Sequence, residues 1–325
     1  MTGPLEARIP EAARGQRLDQ ALAALFPDFS RTRLKAWIEA GRVQLDGRAP
    51  RPRDVVVGGE VVQLRPLAEP QVAAAPEDIA LDVVHADADV LVLNKPPGLV
   101  VHPGAGNPRA TLQNALLHFD PRLVELPRAG IVHRLDKNTS GLLVVARTAR
   151  AHTALVRALE AHEVEREYQA VCSGVMTAGG TVDAPIDRHP VDRLRMAVRS
   201  SGREAVTHYR VITRYRAHTH ARVVLETGRT HQIRVHLAHA GYPLVGDATY
   251  GRRIVLPRAA TPRLAATLQA FRRQALHAAR LAFVHPASGE RVEFTAPLPP
   301  DYAALVAALA DDLRLGGGEP ARGRR

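Results

Sequence analysis

The chain carries a single cysteine, Cys172, so no disulfide framework can form and a reducing compartment is expected. Aromatic residues are only 4% of its 325 positions, too few for extended base-stacking platforms. Apolar runs such as 142–146 fall far short of the roughly 20 residues needed to span a bilayer. Residues 1–15 are polar and mixed in charge, with no apolar stretch, so no signal peptide is expected. Acidic residues are also scarce: 33 Asp and Glu stand against 44 Lys and Arg, leaving a formal charge of +11. That excess calls for a polyanionic partner. With no membrane span or lipid anchor expected, nucleic acid is the natural candidate and the cytoplasm the expected location. What the chain does have is length for two domains and 46% hydrophobic residues, enough for a real core.

The pattern changes along the chain. Residues 17–26 predict a helix with Leu18, Ala21, Leu22 and Leu25 on one face. Ser30 is placed to cap a second helix with Leu34, Trp37 and Ile38 inward, and Gly41 to end it in a left-handed conformation. The pair Asp46-Gly47 signals a hairpin, and a strand is predicted at 60–64. Arg31, Arg33 and Lys35 fall in the first turns of the second helix, where they oppose its macrodipole by about 0.3–1 kcal/mol each. A nearby phosphate backbone would account for them, and Arg42 extends the same basic surface; a solvated charged face is the alternative. These elements define a small domain over 15–65.

The stretch PLAEPQVAAAP at 66–76 reads as a linker. Beyond it, over 77–312, strands are predicted at 89–94, 141–146, 168–172, 206–212, 221–226, 278–284 and 291–295, with helices at about 111–118, 149–162 and 231–240. They are not joined by regular βαβ crossovers. The expected class is therefore α+β with a mixed, mainly antiparallel sheet. Residues 313–325, with three successive glycines and a basic end, predict a disordered tail.

Three segments can carry chemistry. HRLDKNTSG at 133–141 sets the carboxylate of Asp136 between Arg134 and Lys137, just before an apolar strand. Alone, that carboxylate is either a structural ion-pair partner or a catalytic group. LNKPPGLVVHPG at 93–104 is a stiff, shaped loop. In GRTHQIR at 228–234, Gly228 turns the chain, Thr230 is placed to cap the next helix, and Arg234 lies beside its inward face. His231, His236 and His239 share that helix but lack the spacing and intervening Glu of a zinc motif, so no metal is expected. Cys172, in an apolar strand, reads as packing.

In its ordered set of motifs the chain resembles the pseudouridine synthases that modify large-subunit ribosomal RNA. The set comprises HRLDKNTSG, VVHPGAGN at 100–107, GRTHQIR and QALHA at 274–278. The N-terminal unit resembles an S4 RNA-binding domain, and together the likenesses cover about 15–300. Asn138 stands where the commoner family pattern has Asp. The resemblance implies a catalytic domain with a central cleft, and an isomerase that breaks the N1–C1′ bond of uridine, turns the base over and joins C5 to C1′. Nothing is oxidised and no group leaves the product, so neither cofactor nor metal is implied. Asp136 is implied as the catalytic carboxylate, acting as nucleophile or base, and Arg234 as its cationic partner. Tyr168 is implied to stack on the uracil or take the C5 proton, and Arg134 to enter the RNA stack where the target base is flipped out. Arg31, Arg33, Lys35 and Arg42 are the expected RNA contacts of the S4 unit. The implied partner is large-subunit ribosomal RNA, or the assembling subunit, met by a monomer. The loop at 100–107 suggests the helix 69 stem-loop of 23S rRNA. A non-catalytic RNA-binding or ribosome-assembly factor, or a synthase acting on other rRNA or tRNA uridines, is the alternative.

Overall fold

The computed structural model describes residues 5–316, apart from 27–28, 30, 66–73, 105, 193, 252 and the side chains of Thr32 and Arg33. Ser30, most of the 66–76 linker and residues 317–325 of the expected tail therefore lie outside the described residues. The chain divides into two units, 1–73 and 74–325.

In the first unit, strand β1 (Leu5–Arg8) precedes helices α1 (Leu18–Leu25) and α2 (Arg31–Glu39) and strands β2 (Val43–Leu45) and β3 (Val61–Leu64). The sheet runs β1–β3–β2, antiparallel throughout. The inward faces expected of the two helices are buried: Leu18, Leu22 and Leu34 are fully enclosed, with Trp37 and Ile38 3% exposed. Each fully buried leucine is worth about 1.5–3 kcal/mol, a large share in so small a unit. Helix α2 closes with Gly41 at φ 68°, its N–H on the Ile38 carbonyl and that of Arg42 on the Trp37 carbonyl. These are the two bonds of a Schellman end. Asp46 and Gly47 make the expected turn, both at positive φ. Yet that turn yields only a Leu45–Arg48 bridge, and β2 finds its strand partner in β3. Strand β1 lies in a stretch where no element was predicted.

The second unit contains β4 (Val83–Ala86), β5 (Val90–Lys95), α3 (Leu112–Phe119), β6 (Ser140–Ala146), α4 (Ala149–Glu160), β7 (Glu165–Ser173), β8 (Gly180–Asp183), β9 (Ile186–Arg188), β10 (Met196–Val198), β11 (Val206–Arg214), β12 (His218–Leu225), α5 (Gln232–His239), α6 (Pro262–Ala270), β13 (Leu276–Val284), β14 (Arg291–Thr295) and α7 (Pro300–Gly316). Nine strands form one sheet in the order β4–β5–β6–β13–β7–β12–β11–β8, with β14 also on β13. The β6–β13 pair is parallel and the other pairs are antiparallel. The class is α+β with a mixed sheet, as the irregular connections suggested.

Both faces of the sheet's centre are covered. Leu91, Leu93, Leu143 and Val145 join one buried cluster, while Val90, Val92, Leu142 and Val144 join another. That is why β6 reads as a continuous apolar run rather than an alternating one. Helix α7 continues to Gly316, four residues beyond the expected boundary at 312. Tyr302, Leu305, Ala308 and Leu309 hold it on α6 and the sheet. No helix among the described residues is long and apolar enough to cross a membrane.

Candidate active site

The turn bearing Asp136 hangs between β6 and the loop that follows β5, and buried polar side chains hold it from several sides. His133 Nε2 accepts the Val144 N–H at 3.1 Å. Burial pulls His133 down to about 3, so the ring stays neutral and able to accept. Gln274 Nε2 donates to Thr139 Oγ1 at 3.1 Å, and Arg273 Nη1 to the Asn138 carbonyl at 3.3 Å. Lys95, only 1% exposed, donates to the carbonyls of Pro96, Leu99 and Lys137 at 2.7, 3.0 and 3.0 Å. One ammonium thus ties the loop at 96–99 to the Asp136 turn. Gly141 follows at φ 111°, where a Cβ would collide with the Ala278 carbonyl of β13.

Asp136 Oδ2 accepts from Arg234 Nη1 at 2.9 Å, across 98 positions of sequence. Asp136 Oδ1 has no hydrogen bond among the described residues, and His231 Nε2 lies 3.9 Å from it. One carboxylate oxygen is therefore held and the other left free. Arg234 is fixed on its far side by Asp247, through Nε to Oδ2 at 2.7 Å and Nη2 to Oδ1 at 2.9 Å. Asp247 also accepts the backbone N–H groups of Thr249 and Tyr250. Burial alone would lower the Arg234 pKa, but the two carboxylates outweigh it and hold the guanidinium above its ordinary value. Burial would likewise raise Asp247, but Arg234 and the two N–H groups hold it below the usual carboxylate range.

His231 opens α5 in the left-handed conformation, φ 58°, and no side chain caps the helix. The cap expected from Thr230 is absent. Gln232 fastens this corner instead, accepting from Thr227 Oγ1 and Arg229 N and donating to the Val206 carbonyl and Thr207 Oγ1. The Tyr250 hydroxyl accepts the Met196 N–H at 2.7 Å and lies 2.8 Å from His231 Nδ1. The other ring nitrogen, Nε2, faces Asp136. His236 bonds Thr207 Oγ1 and the Ala184 carbonyl through its two ring nitrogens. No cluster of metal-ligating side chains occurs among the described residues.

Asp136, His133, His231, Gln232 and Arg234 line a cleft of about 520 Å³, a size suited to a small ligand or an extruded nucleotide. Asp136, Tyr168, Arg134 and Arg234 all border it, so three distant segments of the sequence meet at one place. Tyr168, 5% exposed, belongs to the core cluster as well. Burial, against the charge of Arg166 and with that of Asp136, pushes its phenol up, so it stays protonated at neutral pH. Arg134 is exposed and makes no hydrogen bond or ion pair among the described residues. Sequence reasoning missed Asp247, Tyr250 and the function of Lys95. The segment GDATYG at 246–251 contained the only signal, an Asp placed to bond backbone N–H groups two and three residues on.

In the first unit, Arg31 donates through Nε and Nη2 to Asp19 Oδ2 at 3.1 and 2.9 Å, and Arg17 joins the same buried carboxylate. Arg31 thus also serves the fold. Lys35 lies 3.7 Å from Glu39, Arg42 is half-buried, and the Arg33 side chain lies outside the described residues.

A model of the RNA pseudouridylate synthase family matches residues 89–239, and a model of the S4 domain matches 16–62. The chain belongs to the RNA pseudouridine synthase family and carries an N-terminal S4 domain. It is 58% identical over 307 residues to the ribosomal large subunit pseudouridine synthase D of Xanthomonas campestris pv. campestris, covering 94% of this chain and 93% of that one. To the enzyme of the same name from Pseudomonas aeruginosa it is 54% identical over 306 residues, covering 94% and 96%. The solved structure of human RNA pseudouridylate synthase domain containing 4 aligns with a TM-score of 0.55 at 25% identity, over 70% of this chain and 93% of that one. Human RNA pseudouridylate synthase domain containing 1 aligns at 0.54 and 25%, over 75% and 97%.

Proposed function

We propose that the protein isomerises uridines of 23S ribosomal RNA to pseudouridine in the cytoplasm, within the helix 69 stem-loop, on the free RNA or the assembling subunit. The observation that carries the chemistry is the half-tethered carboxylate: Asp136 Oδ2 is held by Arg234 and Oδ1 left free in the cleft. The free oxygen acts as nucleophile on the sugar or base, or as the base that takes a sugar proton. Arg234, itself locked by Asp247, keeps the carboxylate oriented through a charge-assisted bond. The protonated Tyr168 packs on the uracil rather than taking the C5 proton as phenolate. Arg134, exposed at the cleft with no hydrogen-bond or ion-pair partner among the described residues, enters the stack vacated by the flipped base. Flipping costs a few kcal/mol and least in a loop, which favours loop uridines. The ribosomal target is supported by the names of the relatives, which span nearly the whole chain, and by the net charge of +11.

The test is release of tritium from a 23S transcript labelled at uridine C5, followed by mapping of pseudouridine in rRNA from cells lacking the protein. Release from helix 69, with matching unmodified sites in those cells, is the expected result. Pseudouridines lost elsewhere would move the target. Intact RNA binding with no release from any rRNA would leave a binding factor.

A further inference from the structure

We propose that Arg166, Arg203 and Arg229 form an anion subsite in the cleft that takes one backbone phosphodiester of the RNA beside the flipped uridine. The proposal rests on the reading of Asp136 as the reacting group. The other arginines of this unit with buried or nearly buried side chains meet carboxylates: Arg234 meets Asp136 and Asp247, Arg273 meets Asp301, and Arg147 meets Asp120. The three cleft arginines form no ion pair among the described residues, although all three line the cavity that holds Asp136.

Arg166 is the most telling of the three. It is 8% exposed, Nη2 donates to the Glu226 carbonyl at 3.2 Å, and Nε is sealed from solvent without an acceptor. A buried guanidinium with one carbonyl for company is costly unless a ligand supplies the missing charge. Gly228 makes room for it, since a Cβ there would come within 2.7 Å of Arg166 Nη1. Arg229 spends its Nε on the Glu204 carbonyl at 2.8 Å. Burial first, and then the charge of Arg203, pull Arg229 below its ordinary value, against the opposing charge of Glu204. Like charges crowded in this way gain when an anion comes between them, and a guanidinium fork suits phosphate oxygens.

The platform is also rigid. Gln232 pins the turn at 227–230 and begins the helix that carries Arg234. A phosphate captured there is thus placed in fixed register with the partner of Asp136. Phosphate contacts of this kind set position rather than sequence preference.

The test uses full-length protein and a synthetic stem-loop RNA that the wild type isomerises, with single methylphosphonates at each linkage within about three nucleotides of the target. For Arg203→Ala and Arg229→Ala, KM should rise about tenfold with kcat nearly unchanged, and the salt slope of RNA binding should fall by about 0.7 per arginine. One methylphosphonate position should weaken the wild type about as much, yet leave both variants nearly unaffected. Gly228→Ala should reproduce part of the KM effect by displacing Arg166. Arg166→Met is informative only if it folds; the two more accessible arginines decide the matter. Unchanged KM and salt slope in both alanine variants would overturn the subsite, as would methylphosphonate penalties equal in variants and wild type. Failure of the wild type to isomerise any rRNA would instead overturn the proposed function.

Discussion

Asp247 touches no part of the cleft's open space, yet the reaction should depend on it. Its side chain is fully enclosed and holds Arg234 through bonds of 2.7 and 2.9 Å. In Asp247→Asn, Oδ1 can still accept from Thr249, Tyr250 and Arg234 Nη2. The new amide, however, sets a donor against the Nε–H of Arg234. Removing one partner of a buried ion pair costs about 3–5 kcal/mol, and the near-isosteric Asn, with Asp136 still opposite, places this case near 3. At about 2–4 °C per kcal/mol for a unit of this size, Tm should fall by about 6–12 °C. The guanidinium would then be free to slide against Asp136, and a displacement of about 1 Å costs about 100-fold in kcat. KM should change little. There is a pH signature as well. Asp247 is depressed in the folded chain, so its stabilisation is complete above its unfolded value of about 3.9 and is lost as pH falls through the lower folded value. The Asn variant should therefore lose less Tm between neutral pH and about 3 than the wild type. Calorimetry and single-turnover tritium release measure both effects. An Asn variant with Tm within about 2 °C of wild type and kcat within about threefold would show that Asp247 does not hold the catalytic pair in place.

Asp136→Ala should abolish tritium release while RNA affinity stays within about tenfold, or 1.4 kcal/mol; turnover in that variant would remove the carboxylate from the mechanism. Lys95→Met should strip the Pro96 and Leu99 carbonyls of their donor, at about 1–3 kcal/mol each, whereas the Lys137 carbonyl keeps the Gly98 N–H. Burial, with help from Arg273 and against the Asp136 charge, pulls Lys95 down to about 7. The folded chain therefore binds fewer protons than the unfolded one between about 7 and the ordinary lysine value, and stability from this group rises with pH across that window. The Met variant should lack that rise, as Tm read from pH 6.5 to about 10 will tell. Gly141→Ala should cost more than about 4 kcal/mol, because left-handed strain adds to a backbone collision with Ala278; a stable, active variant would mean that β6 and β13 can separate there.

Elements with a strong local pattern were legible in the chain. The apolar faces of α1 and α2, the Gly41 stop, the 142–146 run and the 291–295 strand all appear where periodicity and turn chemistry put them. Elements that depend on distant partners were not. Strand β1 is short and polar and exists because β3 offers it an edge. Helices α6 and α7 pack on each other through Leu264, Leu268, Tyr302 and Leu305; the Thr261-Pro262 start of α6 was a local signal that sequence reasoning missed, but their mutual packing had none. Thr230 had the right chemistry for a cap, but the Gln232 network and the His231–Tyr250 bond hold the corner in another way.

The sequence alone determined the family: its ordered motifs are those of the RNA pseudouridine synthases, and its charge balance suits a polyanionic partner. It singled out Asp136 as a carboxylate set between two cations, whereas Arg234 was marked as its partner only by the resemblance of the GRTHQIR motif. Only the tertiary structure decided that Arg234 is shared with Asp247, that one oxygen of Asp136 stays free, and that Lys95 binds two loops together. Those facts depend on which side chains meet across 13, 42 and 98 positions of chain, and no local propensity encodes such encounters.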